Sequence, residues 1–275
     1  MARKDYSPSE TTFQRWIKEG RGAGRGSDYK PWLTVRDVPS RGRSHRVFGH
    51  KAQRTHHFFS DLELAVFLIL EWQWDVVEIR EQFSLQRELT LDLAEKHGIA
   101  HPSVKGVPQY LTSDFLVNTS RPGLPKFALQ VKYSNDLTIP RVIEKLELER
   151  RYWEQKEVPW FLVTQREISP VAIQNIDWLY SAQRDSIPDE TLGHRLSFYS
   201  HQFEKNPDVS IINLAKSLDA NYKMPNGESL REIRQLIALR FFTFDIHYEI
   251  HKLTPADLAL TDTSILQEVL HVQSK

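Results

Sequence analysis

Asp114, Gln130 and Lys132 are residues whose types and spacing could do chemistry. Gln130 and Lys132 stand two apart in KFALQVKY (126–133), and the period of a strand turns both side chains to one face. Asp114 lies in the preceding strand-like run, LTSDFLV (111–117), where pairing could bring it alongside. A carboxylate and an amide oxygen suit a hard divalent cation such as Mg²⁺. A lysine beside them would orient a water nucleophile or neutralise charge developing on a phosphate. Glu63, three residues after Ser60, would add a second carboxylate from the start of an apolar helix. Each residue also has a plainer reading. A capping box explains Glu63, a turn explains Asp114, and the solvent side of an edge strand explains Gln130 and Lys132.

The elements that must position these groups follow from periodicity. Ser7-Pro8-Ser9-Glu10 reads as a helix start with Ser7 as N-cap and Glu10 completing a capping box, and Phe13, Trp16 and Ile17 give that helix an apolar stripe. Gly20 to Gly26 (GRGAGRG) follows as a flexible, arginine-bearing loop that fits neither the dinucleotide nor the phosphate-loop fingerprint. Residues 41–59 suggest two short strands around a polar turn. Ser60 opens a helix that is apolar on nearly every face and so belongs in the interior. DVVEIREQF (75–83) alternates as a strand does, a short helix over 90–97 stops at Gly98, and the two strands above come next. A helix over 139–156 and a strand over 158–164 complete an α/β core. Trp72, Trp74, Trp153 and Trp160 fall in these elements as packing residues.

Beyond residue 165 helices dominate, over 169–179, 188–203, 209–221 and 229–239, the last with Ser229 and Glu232 as a capping box; RFFTFDI (240–246) then reads as a strand. The expected organisation is a basic N-terminal helix, arm and hairpin over 1–60, a core over 61–165, and a small, mainly helical, winged-helix-like domain over 166–275.

Composition narrows the function. The 275 residues carry no net charge, yet 1–60 hold 13 Lys+Arg against 5 Asp+Glu. Such an arm suits a polyanion, most simply nucleic acid phosphates; pairing with the acidic remainder of the chain is the alternative. Arg21, Arg25, Arg41, Arg43 and Arg46 are the candidate phosphate contacts. No cysteine is present, which excludes disulfides, thiol catalysis and Cys-based zinc sites. His45, His50, His56 and His57 form no zinc motif and are expected on the hairpin, facing DNA or solvent. No apolar run approaches the length of a membrane helix and the first residues resemble no secretory signal, so a cytoplasmic protein is expected.

Asp114, a 15-residue gap and Gln130-Val131-Lys132 together resemble the PD-(D/E)xK signature of restriction-endonuclease-like nucleases. The longer strings RSHRVFGHKAQRTHHFFSDLELAVFLILEW, VEIREQF, SDFLV, FALQVK and EKLELERRYWEQKEVPWFLVT resemble the TnsA family, endonuclease subunits of heteromeric cut-and-paste transposons. The resemblance implies a restriction-endonuclease-like core with a mixed sheet flanked by helices. It implies an active site at Glu63, Asp114 and Lys132, with Gln130 as a further ligand of Mg²⁺, for which Mn²⁺ would substitute; the Val131 carbonyl is a further candidate. It implies cleavage at the 5′ ends of transposon DNA together with the transposase TnsB and the ATPase regulator TnsC, the latter through the C-terminal domain.

Ser113 stands where the generic nuclease pattern has proline, and Gln130 where it has an acid. Glu149 shares a helical stripe with Val142, Leu146 and Trp153, which would place it behind the site; an ion pair with Arg150 or Lys145 is the simpler expectation. A restriction or repair nuclease of the same fold, and a non-catalytic DNA-binding assembly factor, are the competing readings.

Overall fold

The computed structural model describes residues 8–37, 42–184 and 187–261. The chain forms two compact units, Met1–Ile168 and Ser169–Lys275.

The first unit is built on a four-stranded mixed sheet in the order β3-β6-β7-β8, formed by β3 (Val76–Ser84), β6 (Thr112–Thr119), β7 (Lys126–Val131) and β8 (Trp160–Val163). β3–β6 and β6–β7 pair antiparallel and β7–β8 parallel. The parallel connection needs a crossover, which helix α4 (Pro140–Gln155) supplies. Leu148, Tyr152 and Trp153 of α4 pack with Leu93 and Ala94 of α3 (Arg87–Lys96) over Leu116 and Ala128 of the sheet. A small ribbon, β4 (Ser103–Val104) with β5 (Val107–Pro108), sits between α3 and β6.

The 41–59 segment does form a hairpin, β1 (His45–Gly49) with β2 (Arg54–Phe58), in register from His45↔Phe58 to Gly49↔Arg54. Helix α2 (Asp61–Trp72) follows after two residues. Both ends of α2 are tied to the hairpin: Phe59 N–H donates to Glu63 Oε2 at 3.1 Å, and the His50 and Lys51 N–H groups donate to Glu71 Oε2. Phe58, Phe67 and Phe115 then stack hairpin, helix and sheet into one core.

Several local expectations change. Helix α1 (Glu10–Lys18) is capped by Ser9, whose Oγ accepts from Thr12 N–H, so Glu10 is a first-turn residue paired with Arg87 and not the acid of a capping box; Ser7 lies outside the described residues. Phe13 and Trp16 are buried against Trp32 and Tyr110, whereas Ile17 faces out. The glycine-arginine segment is a tightly bonded turn: Gly22 N–H donates to Lys30 O at 2.7 Å and Lys30 N–H to Ala23 O at 3.1 Å. Glycine is required at position 24, where φ is +91° and a Cβ would lie 2.4 Å from the Asp28 carbonyl oxygen. The alternation of β3 breaks at Val77, which a register shift leaves exposed, and Trp74 is likewise exposed. His56 is fully buried, so it faces neither DNA nor solvent, and His45 Nε2 lies 2.6 Å from Asp61.

The second unit contains α5 (Pro170–Tyr180), α6 (Asp189–Lys205), α7 (Ile211–Asn221), α8 (Glu228–Ala238) and one short ribbon, β9 (Phe242–Thr243) with β10 (Ala259–Leu260). Ser169 caps α5. Ser229 and Glu232 form no capping box. Gly227 occupies the cap, the Ser229 N–H donates to Asp219, and Glu232 bonds Tyr199 Oη and Arg195. The strand expected over 240–246 is only two residues long. Among the described residues no helix is long and apolar enough to cross a membrane.

Candidate active site

Ser60 and Glu63 do form the capping box: Glu63 N–H donates to Ser60 Oγ at 3.1 Å, and the Ser60 hydroxyl donates to Glu63 Oε1 at 3.0 Å. The cap is also what aims the carboxylate. Glu63 is 8% exposed and Asp114 7%, and one amide nitrogen, Gln82 Nε2, lies 3.4 Å from an oxygen of each. Capping and site membership are therefore compatible for Glu63.

Asp114 sits in β6 beside the end of β7. Its Oδ2 accepts the Val131 N–H at 2.8 Å and stands 3.5 Å from Lys132 Nζ. Gln130 Oε1 accepts the Asp114 backbone N–H at 3.0 Å, locking the two strands together where the carboxylate emerges. Lys132 falls just past β7, but its N–H still donates to Val163 O, so the alternation that pairs it with Gln130 survives. Lys132 Nζ also donates to the Val131 carbonyl at 2.8 Å.

Electrostatics set the protonation states. Burial and then the neighbouring Asp114 push Glu63 up to about 7. Burial works against the Lys132 charge, but Asp114, Glu149 and Glu63 outweigh it and hold the ammonium above the usual lysine value. Two carboxylates crowded against one lysine form a site that gains from a further cation. No group of three or more His, Asp or Glu side chains is placed to hold a metal ion among the described residues, so a cation here would draw on amide or backbone oxygens as well.

Glu149 does not make the expected ion pair with Arg150 or Lys145. It is buried, and its Oε1 accepts from Ser113 Oγ at 2.6 Å and from Trp160 Nε1 at 2.9 Å, while Arg150 turns to Glu147 and Glu154. Ser113 in turn accepts from Trp153 Nε1 at 2.7 Å, so the residue standing in place of proline links α4 to the strand that carries Asp114. Burial pushes Glu149 to about 8, so its neutral form is favoured in the folded chain. Its stabilising contribution is complete below the unfolded value of 4.5 and is lost as pH rises through about 8. Glu149→Gln keeps an acceptor for Ser113 and Trp160 without the ionisation. The variant should show a flatter dependence of Tm on pH between 4.5 and 8 than the wild type; identical slopes would exclude a buried neutral acid.

Gln82 is the member of the group that the sequence did not reveal. Its backbone adopts φ +46°, a left-handed conformation rare for a non-glycine residue and costing roughly 1–2 kcal/mol. No pattern in VEIREQF marks that strain. Among the arginines proposed for phosphate, Arg21 is held internally, with Nη1 2.7 Å from Asp37 and its guanidinium over Trp16. Arg43 is exposed 3.6 Å from Asp61, Arg25 and Arg46 are exposed, and Arg41 lies outside the described residues.

Carboxylates, amide and lysine gathered where two sheet strands meet a capped helix are a set suited to hydrolysis of a phosphodiester, the chemistry of the nuclease class. Comparison with known proteins agrees: residues 73–165 match the family model described as TnsA-like endonuclease N terminal, and residues 167–246 the one described as TnsA endonuclease C terminal. Over 272 residues the chain is 46% identical to the Transposon Tn7 transposition protein TnsA of Escherichia coli, an alignment covering 99% of each chain. This chain belongs to the TnsA family of endonucleases.

Proposed function

We propose that this endonuclease makes the 5′-strand cuts at the ends of a transposon, while a TnsB transposase cuts and joins the 3′ ends under a TnsC ATPase regulator. The observation that carries the reading is the single Gln82 amide shared by Glu63 and Asp114, with Lys132 against the latter. Residues 61–165 hold the cutting site, with 1–60 attached to it. The domain over 166–275, winged-helix-like in this reading, docks TnsC or DNA. The setting is the bacterial cytoplasm, on the nucleoid.

Glu63 and Asp114 would hold a Mg²⁺ ion, or Mn²⁺ in its place, with neutral oxygens from Gln130 and the Val131 carbonyl. When bound, such an ion supplies Lewis-acid stabilisation of the phosphate and a more acidic water. The chain's own residues do the rest. Ser60 and Phe59 N–H aim Glu63, Val131 N–H fixes Asp114, and Lys132 neutralises charge on the phosphate oxygens as water attacks in line.

The test is strand-specific mapping on end-labelled transposon DNA with both partners present. Cuts on the 5′ strands should require this chain and Mg²⁺, vanish with a chelator, and return with Mn²⁺. Cleavage of unrelated duplexes by the chain alone would instead favour a restriction- or repair-type enzyme.

A further inference from the structure

Helix α4 carries a second feature beside the cutting site that the reaction scheme does not use. Lys145 lies one helical turn before Glu149 on the same face, a spacing that sets their Cβ atoms about 5–6 Å apart. Glu149 is buried beneath Ser113, the neighbour of Asp114, and Lys145, exposed one turn before it, lies near enough to Lys132 for the two charges to interact. The start of α4 packs on the turn Ser134–Thr138, which begins two residues after Lys132.

Lys145 is exposed and, among the described residues, meets no carboxylate within ion-pair distance and no hydrogen-bond acceptor. The other charges on this part of α4 are engaged: Arg141 Nη1 donates to Ala100 O at 2.7 Å and to Glu144 Oε2 at 2.6 Å, which occupies Glu144 as well. The residues of the first turn include no acid. Desolvation by the groups packed around it, then Arg141 and Lys132, lower Lys145 from the ordinary lysine value although its side chain reaches solvent, as expected of an ammonium placed among like charges with nothing to offset it. The field at this spot is one that an anion relieves.

We infer that Lys145 binds a non-scissile phosphate of the DNA strand being cut, next to the phosphate that Lys132 serves. This rests on the endonuclease reading above. With Lys132 on one phosphate and Lys145 on its neighbour, the strand is held at two points and its register over Glu63 and Asp114 is set. Lys145 is thus a positioning residue: it makes a backbone contact that carries no base information.

The experiment measures 5′-strand cleavage by the full chain assembled with its partner transposase on transposon-end DNA, as a function of DNA and salt concentration. Lys145→Gln should raise the half-saturating DNA concentration about tenfold, leave the rate at saturation within about twofold, and reduce the log–log salt slope by about one. Lys145→Arg should restore most of the binding, because the charge is kept. Because the chain has no native cysteine, Lys145→Cys gives a single thiol for crosslinking to a thiol tethered at the neighbouring phosphate. A Lys96→Cys control should not crosslink there. Wild-type behaviour of Lys145→Gln, or a fall only in the saturated rate, or equal crosslinking by both cysteine variants, overturns the inference while leaving the endonuclease reading intact. If the wild-type chain never cuts the 5′ strand, and Asp114→Ala changes nothing, the endonuclease reading fails and this inference falls with it.

Discussion

Asp114→Ala should convert transposition products in cells from simple insertions to cointegrates when the partner genes are present. The physical argument starts at the carboxylate. Asp114 is an anionic oxygen donor facing Glu63 through the Gln82 amide, and it is the closest acid to Lys132. Removing it takes away one of the two carboxylates available to a cation and leaves Lys132 without its nearest counter-charge. A loss of at least ~10³ in 5′ cleavage, about 4 kcal/mol at the transition state, is expected. The 3′ ends would still be cut and joined by the partner, but the 5′ strands would stay attached to the donor. Replication across such a branched product fuses donor and target. The same substitution also frees the buried Val131 N–H, which by itself costs about 1–3 kcal/mol of stability. Asp114→Asn, which keeps an acceptor oxygen, should therefore melt closer to the wild type yet give the same cointegrates. Simple insertions from both variants, with both proteins folded, would remove Asp114 from the active site.

The second large effect lies in the buried ion cluster behind the hairpin. Glu81 is completely buried; its oxygens take Arg54 Nη1 at 2.8 Å, Arg54 Nη2 at 2.5 Å and His56 Nδ1 at 2.8 Å, and the His57 N–H at 3.3 Å. Burial alone would raise this carboxyl, but His56 and Arg54 overturn it and leave Glu81 at about 2. Because the folded value lies below the unfolded 4.5, the stabilisation is present above pH 4.5 and is lost as pH falls through about 2. The shift corresponds to roughly 3 kcal/mol. Glu81→Ala should cost more than the shift alone, about 3–5 kcal/mol, since Arg54 and His56 are left buried without their partner. Chemical denaturation at pH 7 checks the magnitude, and the variant should lose less stability than the wild type on acidification from pH 4.5 toward 2. A change below about 1 kcal/mol would mean that the cluster is relaxed by water. Function should suffer too, because the hairpin is bonded to both ends of α2 and the Phe59 N–H helps to aim Glu63.

Those two clusters differ in how far they could be read from the chain. For Glu63, Asp114, Gln130 and Lys132, residue type and spacing were enough to nominate a group, because strand alternation is local and a capping box is a four-residue pattern. Resemblance to a family raised that nomination to a named chemistry, and the comparisons show the family. Glu81 carried no such signal. It is one of two acids in VEIREQF, and its partners come from residues 25 and 27 positions earlier in sequence. The basic balance of residues 1–60 was legible as a sum but not as a destination. Arg21 and Arg54 neutralise Asp37 and Glu81 within the fold, while Arg25 and Arg46 are left outward.

The course of most helices and strands was determined by hydrophobic period, glycine, proline and cap residues, all of which act within a few positions of chain. Only the tertiary structure decided that Ser9 caps the first helix, that Ser229 takes its partner from Asp219, and that Glu149 turns inward to Ser113. It alone placed the Gln82 amide between two carboxylates in a left-handed backbone conformation. The physical reason is range. Propensity and capping energies are fixed by neighbours in sequence, whereas burial, hydrogen-bond partners and the field on an ionisable group come from residues that only the packed sheet and its helices bring together.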